Sequence, residues 1–195
     1  MVRAWKESSR SPFSLSLIAV QDTIADILFH DLSKRLAGSS FDDRRVWARE
    51  ITAQKDTLEK LLPLLFGDKK TAYRFSWLLS DVGETDKDAL LNVLPYLFEN
   101  RQKVTAKDFE QQFVKYWRIC GVPEVHKGAA IDMMFSFLVD PKVNTHIKTI
   151  SLTVLHRLCD EYPELKNELK LCIEDQLDHS TVSFNKTANK ILSEL

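Results

Sequence analysis

Four times along this chain, apolar residues fall at i, i+4, i+7 and i+8. The sets are Leu58, Leu62, Leu65 and Phe66; Leu90, Leu94, Leu97 and Phe98; Ala130, Met134, Phe137 and Leu138; and Leu165, Leu169, Cys172 and Ile173. That spacing puts each set on one side of an α-helix. One match carries little weight, because any amphipathic helix can produce it. Four matches, starting 32, 40 and 35 residues apart, point to a repeated unit. The first two copies agree further: LEKLLPLLFGD (58–68) and LLNVLPYLFEN (90–100) each place a proline after the second anchor. Pro63 and Pro95 are therefore expected to be equivalent positions, each a tolerated kink in a helix interior where proline costs about 3 kcal/mol.

The stretch HIKTISLTVLHRLCDEYPELKNELKLCIEDQL (146–177) shows what the unit is. Ile147, Ile150, Val154, Leu155 and Leu158 share a helical face, then Pro163 ends that helix, since the residue before a proline is pushed out of the α region. Pro163 also suits the first turn of the next helix, where its missing N–H costs nothing. So short a link between two amphipathic helices makes an antiparallel hairpin. Only five glycines and six prolines, with 44% apolar and 28% charged residues, agree with an all-α globular chain.

The spacing predicts one domain: repeats at 41–67, 68–100, 104–140 and 142–179, an extra N-terminal helix over 13–38, and a C-terminal cap over 181–195 built on Phe184, Ala188, Ile191 and Leu192. Residues 1–12 are expected to be disordered. Within the repeats, helices are expected at 42–53, 55–66, 69–82, 86–99, 105–119, 124–139, 143–160 and 163–178. Gly83 is read as a helix C-cap and Thr105 with Asp108 as a capping box. Whether the 13–37 helix caps the stack or projects to meet a partner is open at this level.

Helix pairs of roughly 34 to 47 residues are the unit of tetratricopeptide, HEAT and armadillo arrays. With FSWLL in one copy and LTVLHRLCDEYPELKNELKLCIEDQL in another, the chain resembles the HEAT and armadillo-like α-α superhelix group. More narrowly, residues 41–194 are similar to small bacterial HEAT-like proteins of unassigned function, which share the aromatic first helix after a Gly-Asp turn (FGDKKTAYRFSWLLSDV) and the closing YPELKNEL hairpin. The resemblance implies an α-α superhelix of about four helical hairpins and a binding scaffold with another protein as its partner. One group of alkylated-base DNA glycosylases is also built from HEAT-like repeats, which makes DNA binding the alternative.

Composition narrows the chemistry. A formal charge of −1 provides no global field for a polyanion, so nucleic acid would need a local basic patch. Cys120, Cys159 and Cys172 are too few and uneven for a disulfide framework and read as small core residues in a reducing, cytoplasmic setting. No apolar run reaches the ~20 residues that span a bilayer. The five histidines include no pair at i, i+4 spacing that would suit a metal, and His156 reads as a solvated surface residue. Cys120 and His126 flank a Gly-Val-Pro link without an orienting third group. No phosphate loop, His-Glu-x-x-His helix or nucleophile elbow is present. The expectation is no enzyme, no cofactor, no metal and no small-molecule substrate.

Three aromatic-basic clusters remain: RRVWAR (44–49), YRFSW (73–77) and FVKYWRIC (113–120). Arginine beside tryptophan or tyrosine can stack on bases or pair with phosphates, but the same aromatics can fill a core between hairpins. Residues 101–118 carry five basic and two acidic side chains; 42–60 balance to zero; 157–180 carry seven acids against three basic residues. A solenoid cradling DNA should be basic in every repeat, and this one is not. The second helices are expected to line one wall, with Arg74 and Trp77 of the second unit and Lys115 and Arg118 of the third as the candidate partner-binding face.

Overall fold

The computed structural model describes residues 25–54 and 56–195. The stretch expected to be disordered (1–12) and the beginning of the 13–38 helix lie outside the described residues. Among those described, all regular secondary structure is helical. Short polar side chains set where most helices begin. Ser40 and Asp43 form a reciprocal capping box at α2 (Phe41–Thr52). Asp68 accepts the Thr71 N–H at 2.9 Å to start α4 (Lys69–Thr85). Asp86 accepts two N–H groups at the head of α5 (Lys87–Asn100), from Asp88 at 3.0 Å and Ala89 at 3.1 Å. Asn144 and Thr181 do the same for α8 (Thr145–Leu158) and α10 (Val182–Glu194). Each cap satisfies backbone donors that the helix itself leaves unpaired.

The helices stack in two layers. The first helix of each hairpin, α2, α4, α6 (Phe113–Cys120) and α8, packs against the next one along, and α10 closes the row on α8. The second helices lie against this row: α3 (Thr57–Leu61) with the 3-10 turn Leu62–Phe66, α5, α7 (Lys127–Val139) and α9 (Leu165–Gln176). All sixteen residues of the four repeated signatures are buried or partly buried against the common core. This is the all-α, α-α superhelix that the spacing predicts. At the N-terminal end, α1 (25–35) runs into a 3-10 turn, Leu36–Gly38. Leu28, Leu32 and Leu36 are buried in the same core, so the described part of this helix is docked on the stack and does not project from it.

Four local expectations are corrected. Pro95 sits inside a continuous α5, whereas Pro63 sits in a 3-10 turn that takes over after only five residues of α3. So brief a helix offers little preceding turn to kink, and the two prolines are not equivalent. The helix expected at 105–119 begins later, with a 3-10 turn at Phe109–Gln112 followed by α6. Thr105 and Asp108 form no capping box: the Thr105 hydroxyl donates to the carbonyls of Leu65 and Gly67, pinning this connection to the loop between the first two units. Asp108 adopts a left-handed φ of 54°, which aspartate tolerates better than most residues. Gly83 is no C-cap but a buried residue within α4, two residues before its end.

At Gly83, α4 lies close against both α5 and α6. A Cβ there would collide with the Leu90 side chain and crowd Ile119 Cγ2 at 3.2 Å and Leu90 Cβ at 3.3 Å. Gly83→Val should therefore lower stability by about 1–3 kcal/mol through overpacking, read as a lower midpoint in urea unfolding. Hydrogen bonds from the Thr71 N–H and hydroxyl hold the Asp68 carboxyl below its ordinary 3.8. A depressed carboxyl contributes stability above its unfolded value and loses it as pH falls through the folded one. Asp68→Ala should lower the unfolding midpoint at neutral pH and shrink the further loss below about pH 3.8, seen by repeating the urea titration across that range.

Candidate functional site

Alternation along the first helices separates the aromatic-basic clusters into core and surface. From RRVWAR, Arg44 and Trp47 are buried while Arg45 and Arg49 face solvent; from FVKYWRIC, Phe113, Tyr116 and Trp117 are buried while Arg118 is exposed and Lys115 partly so. Phe75 is buried between Arg74 and Trp77, which are both partly exposed, and Tyr73 is exposed. The buried aromatics make one connected packing unit: Phe113 meets Phe98, Phe109, Tyr116 and Trp117 at ring centroids 5.3–5.7 Å apart. Edge-to-face and tilted pairs of this kind fix ring orientation beyond what burial alone supplies.

All four predicted partner-binding residues lie on first helices and none on the second-helix wall. Arg74 and Trp77 are on α4; Lys115 and Arg118 are on α6. The structure divides them into two groups. Trp77 is flanked by two guanidinium groups, Arg74 at 4.8 Å and Arg44 at 5.3 Å from its ring centroid, with Tyr73 tilted against it at 5.0 Å. Lys115 and Arg118 instead line an open groove of about 650 Å³ across α2, α4 and α6, together with Phe41, Arg45, Arg49, Asp81 and Glu84. Neither Arg74 nor Trp77 lines this groove. Lys115 also borders a second groove of about 660 Å³ with Tyr73 and Lys107.

Phe41, Arg45 and Arg49, which sequence reasoning left out of the site, occur at i, i+4 and i+8 and so form one stripe on α2. Averaging charge over 42–60 conceals that stripe, because Asp43 and Glu50 fall on another side of the helix and, of the three acids of α2, Asp42 alone stands beside the stripe.

The electrostatics of the groove are uneven. Arg44 Nε donates to Asp81 Oδ2 at 2.9 Å across α2 and α4, so the Asp81 charge is already matched from below. Burial nonetheless raises the Asp81 carboxyl above its ordinary value, against the lowering effect of Arg44. By contrast, Arg45, Arg49, Lys115 and Arg118 have no carboxylate oxygen within 4.0 Å among the described residues. Lys115 donates to Gln112 Oε1 at 3.0 Å, and desolvation, aided by Arg118, lowers its ammonium pKa. Four unmatched cations around an exposed phenylalanine can receive carboxylates or phosphates.

Catalytic alternatives gain little from the geometry. The Cys120 thiol donates to the Tyr116 carbonyl at 3.1 Å, and burial pushes its pKa up to about 11, so it stays protonated near neutrality. The His126 ring stacks on Phe98 at 4.9 Å, with Nε2 3.6 Å from Glu99 Oε1. His156, expected to be solvated, is partly buried with Nε2 3.7 Å from Glu194 Oε2. Among the described residues, no cluster of three or more His, Cys, Asp or Glu could hold a metal ion, and no helix is long and apolar enough to cross a membrane.

A family model described as HEAT repeat domain matches residues 31–195. Neither the curated proteins nor the solved structures give a match to the chain.

The register between α4 and α6, and hence the spacing of the two groups of surface residues, is held by Tyr116. Its hydroxyl donates to the Ser76 carbonyl at 2.7 Å inside the core. Burial raises its pKa well above the ordinary value, so it remains a donor throughout the working pH range. Tyr116→Phe should lower stability by about 0.5–1.5 kcal/mol with the helical circular dichroism spectrum unchanged, measured by urea unfolding.

Proposed function

The chain belongs to the HEAT repeat domain family, and from that premise we propose that it is a non-enzymatic, cytoplasmic scaffold that binds another protein on the exposed face of its first-helix row. HEAT repeats as a family mediate protein–protein interaction, and stacked repeats present an extended surface for that purpose. The single observation that carries the reading is the groove across α2, α4 and α6, where Arg45, Arg49, Lys115 and Arg118 stand around the exposed Phe41 with no carboxylate oxygen within 4.0 Å among the described residues. Arg74 and Trp77 extend the same face along α4, with aromatic area and a guanidinium already stacked in place. The repeats in this reading are 41–67, 68–100, 104–140 and 142–179, with 181–195 closing the stack.

One observation favours a DNA-binding role instead. Lys69, Lys70 and Lys107 surround Tyr73 beyond the second groove, which lengthens the basic band along the first helices. Against it, Glu84 and Asp81 stand inside the main groove, where a sugar-phosphate backbone with a charge at every nucleotide would meet them. A protein segment can place its acids only where the cations are.

The test is capture from the source cell's soluble lysate, with and without nuclease, comparing wild type with a folded variant carrying alanine at Arg74, Trp77, Lys115 and Arg118. The scaffold reading predicts a specific protein retained by wild type regardless of nuclease and lost from the variant. Retention that disappears with nuclease, or binding to a DNA oligonucleotide that falls steeply with salt, would transfer the face to nucleic acid.

A further inference from the structure

The chain carries, at its other end, a surface of the chemistry that the basic groove would receive. From Glu164, the residue just before α9, through α9 and the turn that follows it, Glu164, Glu168, Leu171, Asp175 and Asp178 recur at i, i+4, i+7, i+11 and i+14, which aligns them in one stripe. All five are exposed, and Leu171, in the middle, is 67% exposed. None of the four carboxylates has a Lys, Arg or His nitrogen within 4.0 Å among the described residues. The neighbouring Glu161 and Glu174, by contrast, are paired with Lys127 and Lys170. The stripe is two acids, a leucine and two acids.

The groove mirrors this order. Arg45 and Arg49 stand on α2 and Lys115 and Arg118 on α6, with α4 between them and Phe41 and Ile119 as apolar lining. Two successive helix spacings of 8–10 Å separate α2 from α6 by roughly 16–20 Å. The stripe from Glu164 to Asp178 is about 21 Å long at 1.5 Å per residue. A helix laid across the three first helices would set one acid pair over α2, the other over α6, and its leucine between them.

We propose that the basic groove of one molecule receives the acidic α9 stripe of a second copy of this chain. This rests on the reading of the first-helix face as a protein-binding surface and names the partner. The contact is heterologous, since groove and stripe are different surfaces, so each molecule that has docked still offers a free stripe or a free groove. Association then builds short open chains or a ring, and weakens as salt screens its charges.

The experiment is sedimentation velocity on the full chain from about 1 to about 200 µM, in about 50 mM and about 500 mM salt. Two charge reversals at exposed positions accompany wild type: Arg45→Glu with Arg118→Glu in the groove, and Glu168→Lys with Asp175→Lys in the stripe. Circular dichroism and urea unfolding confirm that each is folded. The expected result is a weight-average mass that rises with concentration at low salt and returns to the monomer at high salt. Each variant alone stays monomeric, and an equimolar mixture of the two associates again, because the intact groove of one variant meets the intact stripe of the other.

Wild type that is monomeric throughout at low salt, association that survives the groove reversal, or a mixture that fails to pair would each overturn the proposal. Monomeric wild type that binds a DNA oligonucleotide, with loss in the groove variant, overturns it in favour of nucleic acid. If self-association fails while the lysate capture still loses its protein on alanine substitution, the scaffold reading stands and the partner is a different chain.

Discussion

No hairpin in this chain can bury its apolar side alone, and the stack follows from that constraint. The clearest case is α4, which is covered by α2 on one side, α6 on the other and α5 behind. Phe75, Leu78, Leu79 and Val82 are wholly buried there, leaving the two ends of the helix and the stripe from Tyr73 to Glu84 for the surface. Burial of such side chains is worth about 1.5–3 kcal/mol each, so α4 cannot be turned to present a different face. What is exposed on the first helices is therefore a residue of what packing requires. It is held at fixed spacing by Gly83, which lets the helices approach, and by Tyr116, which locks their register.

That rigidity is what gives the surface charges their meaning. Exposed ion pairs contribute little to folding, and the unmatched cations of the groove contribute less still. Arg44 shows the other use of the same residue type: buried against Asp81, with its guanidinium also over Trp77, it ties α2 to α4. The two neighbouring arginines of RRVWAR thus divide between assembly and surface. Arg44 closes the inter-repeat contact, and Arg45, one step round the helix, faces outward with no carboxylate oxygen within 4.0 Å among the described residues.

The fold was legible because it depends on spacing. The i, i+4, i+7, i+8 signature reports burial directly, and all four copies are turned inward. Features set by contacts between distant residues were not. Nothing local distinguishes a Gly83 that ends a helix from one that admits Leu90 and Ile119, nor a Thr105 that caps its own helix from one that donates to Leu65 and Gly67 forty and thirty-eight positions away. The candidate site was half legible. Lys115 and Arg118 were chosen from a segment whose charge is locally uneven, but Arg45 and Arg49 were lost by summing along the chain where the relevant sum runs along one side of a helix. The four candidates fall on first helices and not on the second-helix wall for a related reason: periodicity identifies the buried side of each helix without saying which row its exposed side chains join.

In the proposed function, partners meet the first-helix row. Hydroxyl-radical footprinting of the exposed aromatic side chains reads this most directly, because Phe41 (57% exposed) and Tyr73 (39%) lie on that row while Tyr96 (47%) lies on α5 in the other. With a partner bound, the account predicts that Phe41 and Tyr73 lose reactivity while Tyr96 keeps it. Protection of Tyr96 with Phe41 and Tyr73 unchanged would contradict it.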